Sequence, residues 1–527
     1  MRLRAPALAL FGLLAGHAWA GDVVSPKAEA VAVTVYRDRP MTTAQLAALG
    51  ENDTHGLALV VETRTVRVPA GRTRLRFEGV ADGIVPQSAG VEGLPARVIE
   101  RNFDYDLLTP ANLVAKSVGQ TVKVVRTDRR TGRETTETAV LRSGPDGVVL
   151  DLGGRIEALR CSGGAERLVF DHAPATLNAR PTLSLAINAP TAGRYTLRLA
   201  YLTTRMDWSA DYIARLAPDG RTLALTGWIS LVNRTAASFQ DAPTEVVAGH
   251  LARVPVEIPR AKAASPSPHC WPGQTTHDGW AARPSLDESA REIIMPLPAP
   301  PIMMMRAMTL AAPARKIAIE SQLGDYKLYT LAEPTTVASH QTKQVLFLDQ
   351  PSVAFQKIYA HTVWEPGGLS ETPPAPADIV LRIRNTRDQG LGRPLPEGSI
   401  QLRQPQAGGG RRELLVGQAR VNRDTPVGEP LEIALGRASD VTVIDRLVDT
   451  AIEPGVRSRR TFEVRIANAR RAPASVEIRH GRAGAAGFKI IAESDPHGDK
   501  AGDPLWRLTL PAGGEHTLRY TAQVGRD

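Results

Sequence analysis

From Val31 onward, apolar residues fall at every second position in short runs, and Gly, Pro, Asn and Asp punctuate the runs. Val31, Val33 and Val35 alternate with small or polar residues, as do Val66 and Val68, and then Leu75 and Phe77 across Pro69-Ala70-Gly71. A period of two puts one strand face in a core and the other in water, and the Pro-Ala-Gly break reads as a hairpin. Residues 57–62 fit a further strand. Residues 41–49 are the main helical pattern, opened by Thr42 or Thr43 as N-cap.

A second cluster begins at Ser117-Val118-Gly119. It has a strand at 122–125, a turn at Asp128-Arg129-Arg130-Thr131-Gly132, a Thr-rich return to Leu141, a turn at Gly144-Pro145-Asp146-Gly147 and a strand at 148–152. Turns this closely spaced predict a small barrel-like module at about 117–160. Strand patterns continue at 182–187, 195–202, 222–232 and 244–248, and return around 318, 326–331 and 343–348. Another set runs from 379–384 to 516–520, with the spacing of a β-sandwich.

The composition changes abruptly between these sets. Residues 255–313 are dense in Pro, Ala, Ser and Met without periodicity, and read as a disordered insertion or linker. The expected class is therefore all-β, with several sandwich or small-barrel domains joined by a Pro-rich linker. The expected divisions are an N-terminal β region at 21–190, a central domain at 191–254 and 314–365, and a C-terminal sandwich at 377–527. Residues 1–20 have their own logic: Arg2 and Arg4, an apolar run from Ala5 to Ala15, and Ala18-Trp19-Ala20 before Gly21. This is the pattern of a secretory signal peptide cleaved after Ala20, which places the mature chain in a periplasm or outside the cell. No later run reaches the ~18 apolar residues of a membrane-spanning helix.

Aromatic residues make up 5% of the chain, but hydrophobic content is 43%, enough for ordinary cores. The formal charge of +9 is spread among acids such as Glu134 and Glu137, so no basic stripe of the nucleic-acid-binding kind stands out. An oxidising compartment permits a bond between Cys161 and Cys270, although two cysteines make no disulfide framework.

By Tyr201 the residues become recognisable. Tyr201-Leu202, Trp208-Ser209-Ala210-Asp211-Tyr212, Gly227-Trp228, Asn233 and Val247-Ala248-Gly249 resemble the core signature of the domain of unknown function 4139 family. Gly324-Asp325-Tyr326-Lys327-Leu328-Tyr329, Pro334-Thr335-Thr336 and Gln341-Thr342-Lys343-Gln344-Val345 resemble the block that follows it. Upstream, Glu62-Thr63-Arg64-Thr65-Val66 and residues 101–108 look like the N-terminal region of exported members, some of which carry a mucoidy-inhibitor label. The resemblance implies an exported, β-rich envelope protein and carries over no catalytic residues.

Candidate chemistry is sparse. The chain has no G-x-S-x-G, S-x-x-K or H-E-x-x-H motif, and its histidines are scattered singly. Trp208, Ala210 and Tyr212 share one strand face and Asp211 the other. The aromatics read as core, or else as a sugar-stacking platform that Trp228 extends. Asn102, Asp104 and Asp106 present alternating oxygens, as do Asp495, Asp499 and Asp503 in a Gly-rich loop; either set reads as turn chemistry or a Ca²⁺ site. In the linker, His269, Cys270, His277, Met303, Met304, Met305 and Met308 offer soft donors for Cu(I), or merely tether.

The resulting expectation is an envelope-associated binding or scaffolding protein without a cofactor, whose binding residues are Trp208, Asp211, Tyr212, Trp228, Asn102, Asp104 and Asp106. Its expected partner is an envelope protein or glycan, with exposed strand edges open to β-augmentation. The rivals are a glycan-active envelope hydrolase with a non-standard site and a metal-binding protein.

Overall fold

A computed structural model describes residues 21–50, 53–104, 108–128, 130–143, 148–158, 166–174, 177–249, 251–252, 317–364, 369, 371–406, 412–453, 457–481 and 488–525. The chain is nearly all β, with several separate sheets and two short α-helices among these residues, as the alternation predicts. No described helix is long and apolar enough to cross a membrane. The cysteines, the 255–313 segment with its Met and His residues, residues 1–20 and Asp106 lie outside the described set. Contacts divide that set into two units, one from 21–32 and 59–203, the other from 33–58, 204–252 and 317–525.

In the first unit, Asp22–Ser25, Gly71–Glu78, Thr182–Ala189 and Arg97–Asp104 form a sheet in that spatial order. The first pair is parallel and the others antiparallel. Leu75, Phe77, Leu183, Leu185 and Ile187 are buried at alternate positions, each stabilising the fold by about 1.5–3 kcal/mol. The Pro-Ala-Gly break corrects the expected hairpin, because Leu57–Val68 belongs to a different sheet from Gly71–Glu78. Pro-Ala-Gly suits a three-residue hairpin loop, so it is pairing with other strands, and not the loop, that separates the two.

The 117–160 region folds as a four-stranded antiparallel meander, ordered Ile156–Ala158, Val149–Asp151, Glu134–Leu141 and Thr121–Thr127, and Glu166–Val169 adds a fifth strand beside Thr121–Thr127. Its core of Val122, Val124, Ala139, Leu141 and Leu150 is separate and small. The basic turn after Thr127 is an Asx turn, in which Asp128 accepts from the Arg130 and Thr131 amides. The helix Pro110–Lys116 before it has local signals of its own: Thr109 caps the Asn112 amide and proline occupies the first turn.

A buried ionic cluster ties this unit together. Arg64 donates to Glu62 at 2.7 Å, to the Ser25 carbonyl at 2.8 Å and to the Glu78 carbonyl at 2.9 Å. Tyr201 donates to the other Glu62 oxygen at 2.7 Å and accepts from the Ala81 amide. Arg64 and Glu62 are both buried. Such a pair offsets its desolvation cost only when every donor and acceptor is matched, and here they are.

In the second unit, a nine-stranded sheet runs Lys489–Glu493, Glu515–Gly525, Arg457–Asn468, Pro430–Glu453, Ala375–Arg384, Gln356–Val363, Ala474–His480, Asp503–Leu510 and Gly498–Lys500. It folds over on itself. Trp506 near one edge stacks on Tyr520 near the other at 4.3 Å, and its indole donates to Glu493 at 3.0 Å. Pairing ignores the expected boundary at 377, since Gln356–Val363 joins this sheet while Gly398–Pro405 and Glu413–Val421 leave it. Those two strands complete a five-stranded sheet ordered Gln341–Ala354, Thr222–Asn233, Met206–Leu216, Gly398–Pro405 and Glu413–Val421.

Replacing Arg64 with Ala strands a buried carboxylate, so chemical denaturation should register a loss of about 3–5 kcal/mol. The double change Glu62→Leu with Arg64→Met should lose less than Arg64→Ala alone; equal or greater loss would show that the pair is not coupled.

Candidate functional site

The five-stranded sheet has one face in the core and one that opens on a groove of about 910 Å³. Alternation sorts its residues. Tyr212 packs edge-on to Phe347 at 5.8 Å, Phe347 to Tyr329 at 5.7 Å, and Trp208 lies 6.4 Å from Tyr329. The Trp208 indole donates to the Val247 carbonyl at 3.1 Å, and the Tyr212 hydroxyl to the Pro396 carbonyl at 2.6 Å. Trp208 and Tyr212 are fully buried, so the core has taken both rings and left them no free face for a ligand. Gly227 is required here, because a Cβ would sit 2.8 Å from the Phe347 ring.

On the opposite face, the register sets Asp211 beside Trp228 on one side and Ser399 on the other. These residues, with Ile213, Gln344, Gln401, Arg403, Gln418 and Arg420, line the groove. The helix Thr43–Ala48 borders it, with Thr42, Thr43, Ala44 and Ala47 facing in. Thr42 caps that helix reciprocally with Gln45, and Leu46 anchors it with a fully buried side chain. The expectation of a helix over 41–49 is met.

Asp211 is the electrostatic centre of the groove floor. Its Oδ1 accepts from Ser399, and its Oδ2 from Thr43, Ser230 and, at 3.4 Å, Gln344. Gln344 also donates to Ser230 at 2.9 Å. The carboxylate thus joins four segments of chain. At one end Arg420 donates to the Pro40 carbonyl at 2.7 Å and to Glu397 at 3.1 Å. Toward the other, Arg215 donates to Glu413. Asp211 is the single acidic residue among the described lining residues, and no histidine is among them.

A second carboxyl on the same strand has a different character. Asp207 is buried, and its Oδ1 accepts from the Trp208 amide at 2.7 Å while Oδ2 has no partner in the described structure. Burial, with the nearby Asp38 charge adding to it, pushes its pKa from 3.8 up to about 7. Arg37, which lies 4.5 Å over the Trp208 ring, opposes that shift but spends its charge-assisted bond on Asp424 at 2.6 Å.

Of the sequence candidates, the structure brings together Asp211 and Trp228 in the groove and assigns Trp208 and Tyr212 to its supporting core. Asn102 lies apart in the first unit, exposed on the strand Arg97–Asp104, with its amide donating to Glu100 at 2.9 Å. Asp104 belongs to the same strand. Asp495 is bonded by Ser494 and, across 21 residues, by His516, while Asp499 accepts from the Gly502 amide in a turn. No cluster of three or more potential metal ligands occurs among the described residues. Sequence reasoning missed Ser399, Gln401, Arg403, Gln418 and Arg420, because only a parallel ladder 188 residues long in sequence separation brings Ser399 to Asp211. Gln344 was already visible inside the Gln341–Val345 block. No protein-family model matches the chain, and no curated protein matches it.

Two outcomes test this geometry. A Cβ on Gly398 would overlap the Ala210 carbonyl, so Gly398→Ala should cost more than about 2 kcal/mol in denaturation. For Asp207, the folded pKa of about 7 exceeds the unfolded value near 3.8. Its stabilising proton is fully present below 3.8 and lost as pH rises through about 7. The melting temperature of Asp207→Asn should therefore gain on the parent protein between those limits and run parallel to it above them; a pH-independent difference would show that the carboxyl is not neutral in the fold.

Proposed function

We propose that this is an exported envelope protein that holds its ligand without turning it over, and that the groove on Asp211 and Trp228 receives a hydroxyl-rich glycan component. The observation that carries the reading is the half-buried Trp228 ring beside a row of amides and guanidinia. A pyranose offers an apolar C–H face to stack on an indole and hydroxyls around its rim. Gln344, Gln401, Gln418, Arg403 and Arg420 supply donors and, through the amide oxygens, acceptors for that rim. The volume lies within the ~300–1,000 Å³ usual for ligand pockets.

Binding is favoured over hydrolysis by the state of Asp211. Glycoside hydrolysis ordinarily uses two carboxyl groups on either side of the bond. Here one carboxylate faces the groove, and both of its oxygens already accept bonds from side chains of the wall. Such a group holds its neighbours in place. The signal-like residues 1–20 and the resemblance to exported, mucoidy-inhibitor-labelled relatives support the envelope setting.

Titration calorimetry against soluble envelope glycan fragments tests the proposal. Binding should weaken about two- to tenfold in Trp228→Ala, since stacking on an aromatic face contributes about 0.5–1.5 kcal/mol. Binding that survives Trp228→Ala unchanged, or fragments that shorten during incubation with the pure protein, would overturn it.

A further inference from the structure

A different surface carries a second role. In the pair formed by Gly398–Pro405 and Glu413–Val421, the second strand carries near its start Leu414, Leu415 and Val416, which are 52%, 58% and 40% exposed. Among the described residues this is the one place where three consecutive large apolar side chains are exposed. In a regular strand, successive side chains alternate between faces, and a sheet usually covers one of them. Here the register slips between Leu402 and Arg403, and all three neighbours point outward at the sheet's edge. Edge strands are ordinarily protected by charge or by covering elements. Here Leu435 of Pro430–Glu453 packs beside Gly417, and the part of the strand before Gly417 offers apolar side chains.

The residues around them indicate the partner. Leu415 pairs across the ladder with Arg403, and Arg403 with Arg215, which puts two arginines in the rows beside the apolar triad. Arg412 adjoins it on the chain and is exposed, as is Arg221 in the neighbouring turn. Arg215 and Arg403 share Glu413, and Asp219 accepts from the Arg221 amide, so two acids face four guanidinia at this end of the sheet. The whole chain carries a formal charge of +9. Exposed apolar side chains beside arginines whose long stems let their charges reach headgroups match a bilayer surface with anionic lipid.

We infer that the exposed start of the strand Glu413–Val421 docks the protein peripherally on a bilayer bearing anionic headgroups, with Leu414, Leu415 and Val416 entering the acyl boundary and Arg412, Arg215 and Arg221 facing phosphates. The inference is independent of the ligand in the groove. Its reach is shallow: three side chains from one strand give reversible attachment.

Co-sedimentation of the full chain with vesicles tests it. Vesicles of phosphatidylcholine with about a third phosphatidylglycerol should bind at least about tenfold more protein than phosphatidylcholine alone. Raising salt from about 0.1 M to about 0.5 M should weaken that binding. The double variant Leu414→Ser with Leu415→Ser should lose it about tenfold while keeping the parent melting temperature, since both side chains are exposed. Arg412→Glu should also weaken it, and less so at high salt. Equal binding to both vesicle types, no binding to either, or undiminished binding by the double variant would overturn the inference. So would a parent protein that is dimeric by light scattering and becomes monomeric in the double variant, because these side chains would then be covered by a second copy.

Discussion

The parallel ladder between Met206–Leu216 and Gly398–Pro405 is the contact on which the groove depends. Parallel pairing of strands so distant in sequence carries a large loop-closure cost, which only extensive side-chain burial offsets. The aromatic cluster on the inner face provides that burial, with Trp208, Tyr212, Tyr329 and Phe347 packed in succession. Gly398 lets the two backbones meet. Once they do, the outer face follows from the pleat, and Asp211, Trp228 and Ser399 come to stand side by side.

The chain handles buried charge in two contrasting ways. Around Glu62, Arg64 and Tyr201, the charged groups find partners on several strands. A similar arrangement spans the C-terminal sheet, where Arg382 holds Glu477 through two bonds at 2.8 and 2.7 Å and Lys500 joins Arg382 on Glu432. Asp207 follows the other course, relieving its burial by keeping its proton. Asp211, a few residues along the same strand, points to the open face and collects hydroxyl donors. Strand alternation alone separates Asp211 from its buried aromatic neighbours.

Local patterns served well where local physics decides. Alternation found the strands, the Thr42 cap found the helix bordering the groove, and closely spaced turns found the meander near 117–160. They failed where pairing depends on distant residues. Val66, Val68, Leu75 and Phe77 alternate in the manner of a hairpin, yet Leu57–Val68 and Gly71–Glu78 pair in different sheets. The 377 boundary failed for the same reason, since nothing in residues 398–421 announces a partner near 210.

What the sequence determined by itself is the β class, the face on which each residue of a strand falls, and the separation of Asp211 from Trp208 and Tyr212. All of these follow from a period of two and the positions of Gly and Pro. Tertiary structure decided which face is core, which strands are neighbours, and therefore that the polar wall opposite Trp228 comes from 344 and from 399–420. The physical reason is that a strand's hydrogen-bonding groups are the same at every residue and carry no address; side-chain packing across the finished sheet selects the partner.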